Sequence, residues 1–368
     1  MDRTHYILAG GLLDGSGGRA RHRVFLEIRG GVIQAIGPAT DLPGNAAKST
    51  TDLSHCLILP PLFDCSVLLA SSPSLSDGKG QPAANHDLGR RHLGYLRDHG
   101  VLGLAVNDRP PIPAETTFPA MRLRLNGRDF IKIIYTSDIE EGEESPHKVS
   151  HAELKRIIRD KGERKAVVVA NGREAVEEAI LAGAEAIEQG YRMGKDNLRE
   201  MAAKKIIWIP CLIRAKNGLD SSACGGSVCC RFSMRYAAPG KSQPETETQW
   251  KKLLTDQLAQ LELARRLGVI TAVGTGAGNP GIIHGESVSE EIKLFLRASF
   301  SIEEAVRAAS TSGAGFFNPE ATGLIAPGER ATFLVVRGTL KQLPRKLAYL
   351  EAVYFEGRSL GKETNQGR

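Results

Sequence analysis

Ala166-Val167-Val168-Val169-Ala170-Asn171-Gly172-Arg173-Glu174-Ala175-Val176-Glu177-Glu178-Ala179-Ile180-Leu181-Ala182-Gly183-Ala184-Glu185-Ala186-Ile187-Glu188-Gln189-Gly190 is the stretch on which the fold turns. Its first five residues form an apolar run of strand length. From Arg173 the period changes: Ala175, Val176, Ala179 and Ile180 fall at helical spacing, and Gly183 supplies the stop. A second short apolar run, Ala184 to Glu188, follows at once. Strand, helix and strand joined by such short connections form one βα unit with its return strand, the unit from which parallel sheets are built.

The same alternation extends outward from about Pro60 to about Asn318. Candidate strands are Leu62 to Leu68, Val101 to Val106, Met121 to Leu125, Phe130 to Tyr135, Ala166 to Ala170, Ala184 to Glu188, Ile206 to Ile209 and Val269 to Gly274. Eight parallel strands predict an α/β fold of the (β/α)8 TIM-barrel type, with any site at the C-terminal strand ends. The two ends of the chain read differently. Tyr6–Leu8, Arg23–Ile28 and Val32–Ile36 are short strands punctuated by Gly10-Gly11 and Gly30-Gly31, and Ala331–Val336 and Lys346–Phe355 repeat that pattern near the C-terminus. The expected organisation is a small composite β-sandwich from residues 1–58 and 323–368, flanking a barrel over residues 59–322.

Composition narrows the function class. The 368 residues carry no apolar run near the roughly 18 needed to span a membrane, and the N-terminus lacks the apolar core of a secretory signal. A cytoplasmic protein without membrane association is expected. The net charge of +6 comes from Lys and Arg interleaved with Asp and Glu, and aromatic residues are only 5%, so no nucleic-acid surface is expected. Six cysteines in a chain of this length predict reduced thiols rather than a disulfide framework.

Several segments together resemble the amidohydrolase superfamily, above all its prolidase-like and imidazolonepropionase-like branch. Leu57–Leu68 resembles the opening barrel strand, Gly172–Ala175 with Gly183–Gly190 the fifth and sixth strand region, Gly274–Gly281 with His284-Gly285 the eighth, and Gly323–Gly328 the return into the sandwich. The resemblance implies metal-assisted hydrolysis, in which one or two divalent ions activate water and an Asp moves the proton. It also assigns the ligand positions, and there this sequence departs from the family. The His-x-His of the first strand falls on Ser66 and Leu68, the strand-five His on Val169, the strand-six His on Gln189, and the strand-eight Asp on Gly276; only the strand-four Lys has a counterpart, Lys132. Zinc takes about four N, S or O ligands, so the expectation is no metal and no cofactor.

By strand parity Lys132 shares a face with Phe130 and Ile134, and Asp64 shares one with Ser66 and Leu68, so an inward Asp64–Lys132 ion pair is expected. Lys132 is also the one candidate catalytic group. Ser66, Lys132, Asn171, Gln189 and His284 are candidates for holding a ligand, with a surface or loop-anchoring histidine as the other reading of His284. His86 and His92, six apart, do not make an i, i+4 metal pair. Cys224, Cys229 and Cys230, with Cys211, are read as free thiols, since the spacing is not that of a zinc knuckle. The functional expectation is an amidohydrolase-like protein that has lost metal-dependent hydrolysis and acts as a regulatory or structural homologue, in a homo-oligomer or beside an active paralogue, or binds a small polar ligand at the barrel mouth. The alternative is an active amidohydrolase cleaving C–N bonds of amides, cyclic amides or dipeptides.

Overall fold

The computed structural model describes residues 4–71, 86–108, 121–136, 147–223, 244–279, 281–318 and 323–360. The Cys224, Cys229 and Cys230 cluster lies outside them. The first strands are β1 (His5–Leu12), β2 (Arg21–Arg29), β3 (Val32–Pro38) and β4 (Thr50–Leu59). The last are β12 (Phe333–Arg337), β13 (Ala352–Phe355) and β14 (Arg358–Leu360). All seven pair in one sheet of order β14-β13-β12-β4-β1-β2-β3, so strands from the two ends of the chain are neighbours where Val335 pairs with Ile58. Ile7, Leu26, Ile33, Ile58, Phe333 and Val335 alternate onto one buried face and share a core.

Between these ends, β5 (Leu62–Val67), β6 (Val101–Val106) and β7 (Arg122–Leu125) form one parallel sheet, and β8 (Phe130–Ile134), β9 (Lys165–Ala170), β10 (Ala186–Gln189) and β11 (Ile207–Ile209) form another. β5 and β6 are buried at every position, which is why they read as continuous apolar runs rather than alternating ones. The intervening helices include α1 (His86–Asp98), α2 (His151–Arg159), α3 (Arg173–Ala182), α4 (Gly194–Lys204), α5 (Leu212–Ala223), α6 (Pro244–Leu267), α7 (Glu286–Arg297), α8 (Ile302–Ala308) and α9 (Thr311–Phe317). α3 has the bounds its apolar spacing predicts. Its Ala175, Val176, Ala179 and Ile180 are buried, and Gly183 closes it in the left-handed conformation at φ 96°, with its N–H directed back to the carbonyls of Ala179 and Ile180.

Two expectations are corrected, and one strand is found that the sequence reading lacks. Residues 269–274 do not form a regular eighth strand; the segment makes single bridges, Thr271 to Trp208 and Ala277 to Val67. It still stitches the two sheets, since Ala272 N–H bonds to Trp208 O, Cys65 N–H to Val273 O, and Gly276 N–H to Ser66 O. Gly274 is needed there because a Cβ would lie 2.4 Å from the Ile209 side chain. Residues 346–351 are not strand either: α10 (Leu343–Lys346) carries Pro344 in its first turn, and Leu343, with Leu347 and Leu350 beyond the helix, packs into the larger core. Finally, β4 begins at Thr50, a strand hidden in the sequence by the polar residues Asp52, Ser54 and His55, and Pro60-Pro61 separates it from β5.

α5 starts against a buried carboxylate. Glu291, on α7, accepts the backbone N–H groups of Leu212 and Ile213 at 2.7 Å each, at the helix end where N–H groups lack internal partners. Glu291→Gln retains one acceptor and turns an NH2 group toward the other N–H. The expected cost is about 1–3 kcal/mol, read from the urea midpoint; an unchanged midpoint would show that this carboxylate does not hold the start of α5.

Candidate functional site

The C-terminal ends of β5, β8, β10 and β11 converge on a cavity of about 250 Å³. Ser66, Leu68, Lys132, Val169, Gln189 and Gly276 all line it. Every position to which the family resemblance assigned a metal ligand therefore meets at one place, although the six lie on segments far apart in the chain.

The centre of that place is a residue the sequence reading passed over. Glu188, at the end of β10, is 4% exposed and receives Lys132 Nζ at 2.8 Å on Oε1. The same oxygen accepts the hydroxyl of Ser66 at 2.9 Å and has Cys211 Sγ at 3.9 Å. Ser66 Oγ in turn accepts Asn107 Nδ2 at 3.0 Å, with Lys132 Nζ at 3.4 Å. Asn126 ties the group to the backbone by accepting Lys132 N–H through Oδ1 and donating through Nδ2 to Asn107 O. Among the described residues two acceptors of this group have no partner, Glu188 Oε2 and Asn107 Oδ1, both shielded from solvent. A carboxylate at a strand's C-terminal end was the available signal; Glu188 carried it, unmarked by any motif.

The expected Asp64–Lys132 pair does not form. Asp64 is fully buried, but its carboxylate turns to the neighbouring segment, accepting Thr275 N–H at 2.9 Å, Thr275 Oγ–H at 2.6 Å and Ser66 N–H at 3.1 Å. Strand parity fixes a face, not the partner that a carboxylate finds across it. Burial pushes the Asp64 carboxyl up to about 7, with those three hydrogen bonds opposing the shift.

Of the other candidates, Gln189 lines the cavity with its backbone in the left-handed region at φ 69°. Asn171 lies against it, donating Nδ2 to Gln189 Oε1 at 2.6 Å and accepting Tyr191 N–H at 3.0 Å. His284 is not among the cavity's lining residues. It is buried, directs Nε2 at Leu68 O at 2.9 Å, and stacks on His92 of α1 with ring centroids 3.7 Å apart. His92 Nδ1 meets Leu69 O at 2.8 Å, and Asp108 accepts the N–H groups of Leu69 and Ala70. His284 thus meets the Leu68 backbone and not the cavity. His86 and His92 both sit on α1.

The fold's implied divalent ion can be tested against these donors. Lys132 Nζ, as the ammonium of an ion pair, has no lone pair to give and repels a divalent cation. Burial, then Glu188 and Glu291, hold the Cys211 thiol well above its usual range, so the thiolate a metal wants is disfavoured. Gly276, where an Asp is expected, has φ 70°, a conformation strained for a residue with a Cβ. Among the described residues no group of three or more His, Cys, Asp or Glu side chains is placed to hold a metal ion. The donors among the described residues do not fit zinc.

Among the described residues no helix is long and apolar enough to cross a membrane. No curated protein sequence matches the chain. Solved structures do. It is similar to a Xaa-Pro dipeptidase with bound methionine in the active site, at TM-score 0.74 and 18% identity over 97% of this chain and 100% of that one. It is also similar to ochratoxinase of A. niger, at 0.73 and 16% over 97% and 95%, and to molinate hydrolase, at 0.74 and 13% over 98% and 95%. At such identities these likenesses establish the shared fold. The model of the amidohydrolase family matches residues 113–359, well over half the sequence, and the chain belongs to that family.

Proposed function

We propose that this amidohydrolase-family chain has given up metal-dependent hydrolysis and uses the cavity over Glu188 and Lys132 to bind a small polar ligand, as a regulatory or structural homologue. The observation that carries this reading is the Lys132–Glu188 ion pair, at 2.8 Å, in the cavity where the six ligand positions meet. Lys132, the one ligand position that keeps the family's residue, is committed there to a carboxylate of the chain itself. The reading includes a closed (β/α)8 barrel over residues 59–322, supported by the bridges that the 269–277 segment makes to β11 and β5, and a composite β-sandwich over 1–58 and 323–368, supported by the pairing of β4 with β12. It also includes a cytoplasmic location and assembly with itself or with an active paralogue.

The expected result is that purified protein holds Zn, Mn, Fe or Ni well below one equivalent and that prolonged chelation leaves its thermal midpoint unchanged. The opposing reading, an active hydrolase of C–N bonds, is favoured by the family match and by the three hydrolase-type neighbours. One tightly held metal per chain, with amide, lactam or dipeptide turnover abolished by a chelator, would establish that reading and overturn the proposal.

A further inference from the structure

We propose that a groove at the N-terminal ends of β9, β10 and β11, the opposite ends from those that open on the Glu188 cavity, binds a small anionic amphiphile: an aliphatic chain ending in a carboxylate. The groove is separate from the cavity, and its ligand is the same whether or not that cavity holds a metal.

The groove has a volume of about 500 Å³, within the range of small-molecule sites. Its lining follows the strand starts. Lys165 opens β9, Glu185 precedes β10, Ile206 and Ile207 lead into β11, and Ile270 precedes Thr271, which bridges to β11 at Trp208. Neighbouring strands lie about 4.8 Å apart, so four adjacent starts extend the lining over roughly 14 Å. Leu181 near the end of α3, Lys204 and Lys205 at the end of α4, and Phe316 of α9 supply the rest.

The floor is apolar and partly uncovered. Of the five large apolar side chains exposed among the described residues, two, Leu181 at 63% and Ile270 at 39%, line this groove. Phe316 is half-buried beside them, and the buried Ile180, Ile206 and Ile207 continue the apolar lining. Leu181 falls outside the stripe of Ala175, Val176, Ala179 and Ile180 that packs α3 on the core, so helix packing does not account for it. A lone exposed leucine needs no account, but apolar side chains gathered at a concavity mark a place where apolar ligand surface leaves water.

The rim stays basic after its ion pairs are counted. Glu185 is shared by Lys161 at 3.0 Å and Lys165 at 2.8 Å, so one carboxylate meets two ammonium groups. Lys204 meets Glu200 at 3.0 Å, one turn back on α4. Lys205, exposed at the C-cap of α4, makes no ion pair among the described residues. Four lysines against two glutamates leave an excess of two positive charges (4 − 2 = 2), which selects an anionic head group. Apart from these charges the lining has no hydroxyl, amide or imidazole side chain, so no side chain there reads a sugar or the polar backbone of a peptide. A hydrocarbon chain matches what remains.

The test is calorimetry on the full chain at low salt with four probes: octanoate, octan-1-ol, octyltrimethylammonium and acetate. Octanoate is expected to bind about fivefold more tightly than octan-1-ol, the range that a few exposed charges supply, and acetate and octyltrimethylammonium are expected not to bind measurably. Added salt should remove the advantage of octanoate and leave octan-1-ol unchanged. Lys205→Glu is expected to abolish the preference for octanoate. Ile270→Asn is expected to weaken octanoate and octan-1-ol alike, by at least about fivefold; Leu181→Gln, at a more exposed position, gives the same comparison should Ile270→Asn not fold. Equal binding of octanoate and octan-1-ol, no binding of octanoate, or octanoate binding indifferent to both Lys205→Glu and Leu181→Gln overturns the inference. So does a blocked triglutamate peptide that binds as tightly as octanoate, which would make this face a dock for an acidic protein. None of these results touches the metal content of the cavity, which the chelation experiment reads separately.

Discussion

Lys132→Met is expected to lower the free energy of unfolding by about 3–5 kcal/mol, the cost of removing one partner of a buried ion pair. Glu188 has only 5% of its side chain exposed and Lys132 13%, so solvent cannot step in to screen the carboxylate that the substitution leaves behind. Ser66 would remain as the one hydroxyl donor to Oε1, and Oε2 is already without a partner. The double variant Lys132→Met with Glu188→Leu removes both charges and is expected to recover most of that loss, because well-packed apolar residues often replace a buried pair at little cost. Urea unfolding of the wild type, both single variants and the double closes a thermodynamic cycle. Additive single effects would show that the two side chains act independently, and the assignment of the pair as the anchor of the cavity would fall. The same pair opposes carbamylation of Lys132, since Nζ is already engaged by Glu188 Oε1 at 2.8 Å. The cycle should therefore be insensitive to added bicarbonate.

How much of this was open to reading depends on the kind of force that fixes each part. β6 and α3 match their expected bounds because burial writes itself into the chain: β6 is apolar throughout, and α3 carries a helical stripe ended by Gly183. The place of the cavity was legible as well, through the resemblance, since Ser66, Leu68, Lys132, Val169, Gln189 and Gly276 do converge. Glu188 was not, because nothing local distinguishes a carboxylate that ends up 2.8 Å from a lysine 56 residues away. Asp64 shows the converse failure. Its inward parity was inferred, yet Thr275, 211 residues on, offered two donors and decided the orientation. The eighth strand was misread because residues 269–277 bond alternately to β11 and β5, so no single partner gives them a ladder. The stacking of His92 on His284 left no trace in the sequence, where the two lie 192 positions apart.

That stack carries the second large effect, an acid-dependent loss of stability. Burial, then the adjacent His92, lower the His284 pKa to about 3, against 6.5 when exposed, and burial lowers that of His92 as well. The groups facing them are Arg91, which opposes protonation of His92, and Asp108, which favours it; Leu68 O and Leu69 O accept from the rings. A histidine whose folded pKa is depressed binds a proton in the unfolded chain first. Its contribution is therefore complete above pH 6.5 and is lost as pH falls toward about 3. The full shift corresponds to about 4–5 kcal/mol, at about 1.4 kcal/mol per pKa unit. The wild-type curve alone would hide this, because Asp64, raised to about 7, and Glu291, raised to about 8, work in the opposite sense: their contribution is complete below their unfolded values and is lost as pH rises through the folded ones. The informative quantity is the difference between wild type and His284→Phe, which keeps a ring on His92 and removes the titration. At neutral pH the wild type should be the more stable, by about 1 kcal/mol from the hydrogen bond to Leu68. Over the two pH units below 6.5 the difference should move by about 2–3 kcal/mol in favour of the variant and change sign. Parallel pH profiles for the two proteins would mean that His284 already titrates normally in the folded chain, and the clamp on Leu68 and Leu69 would then have to be held by Ala277 and Asp108 without it.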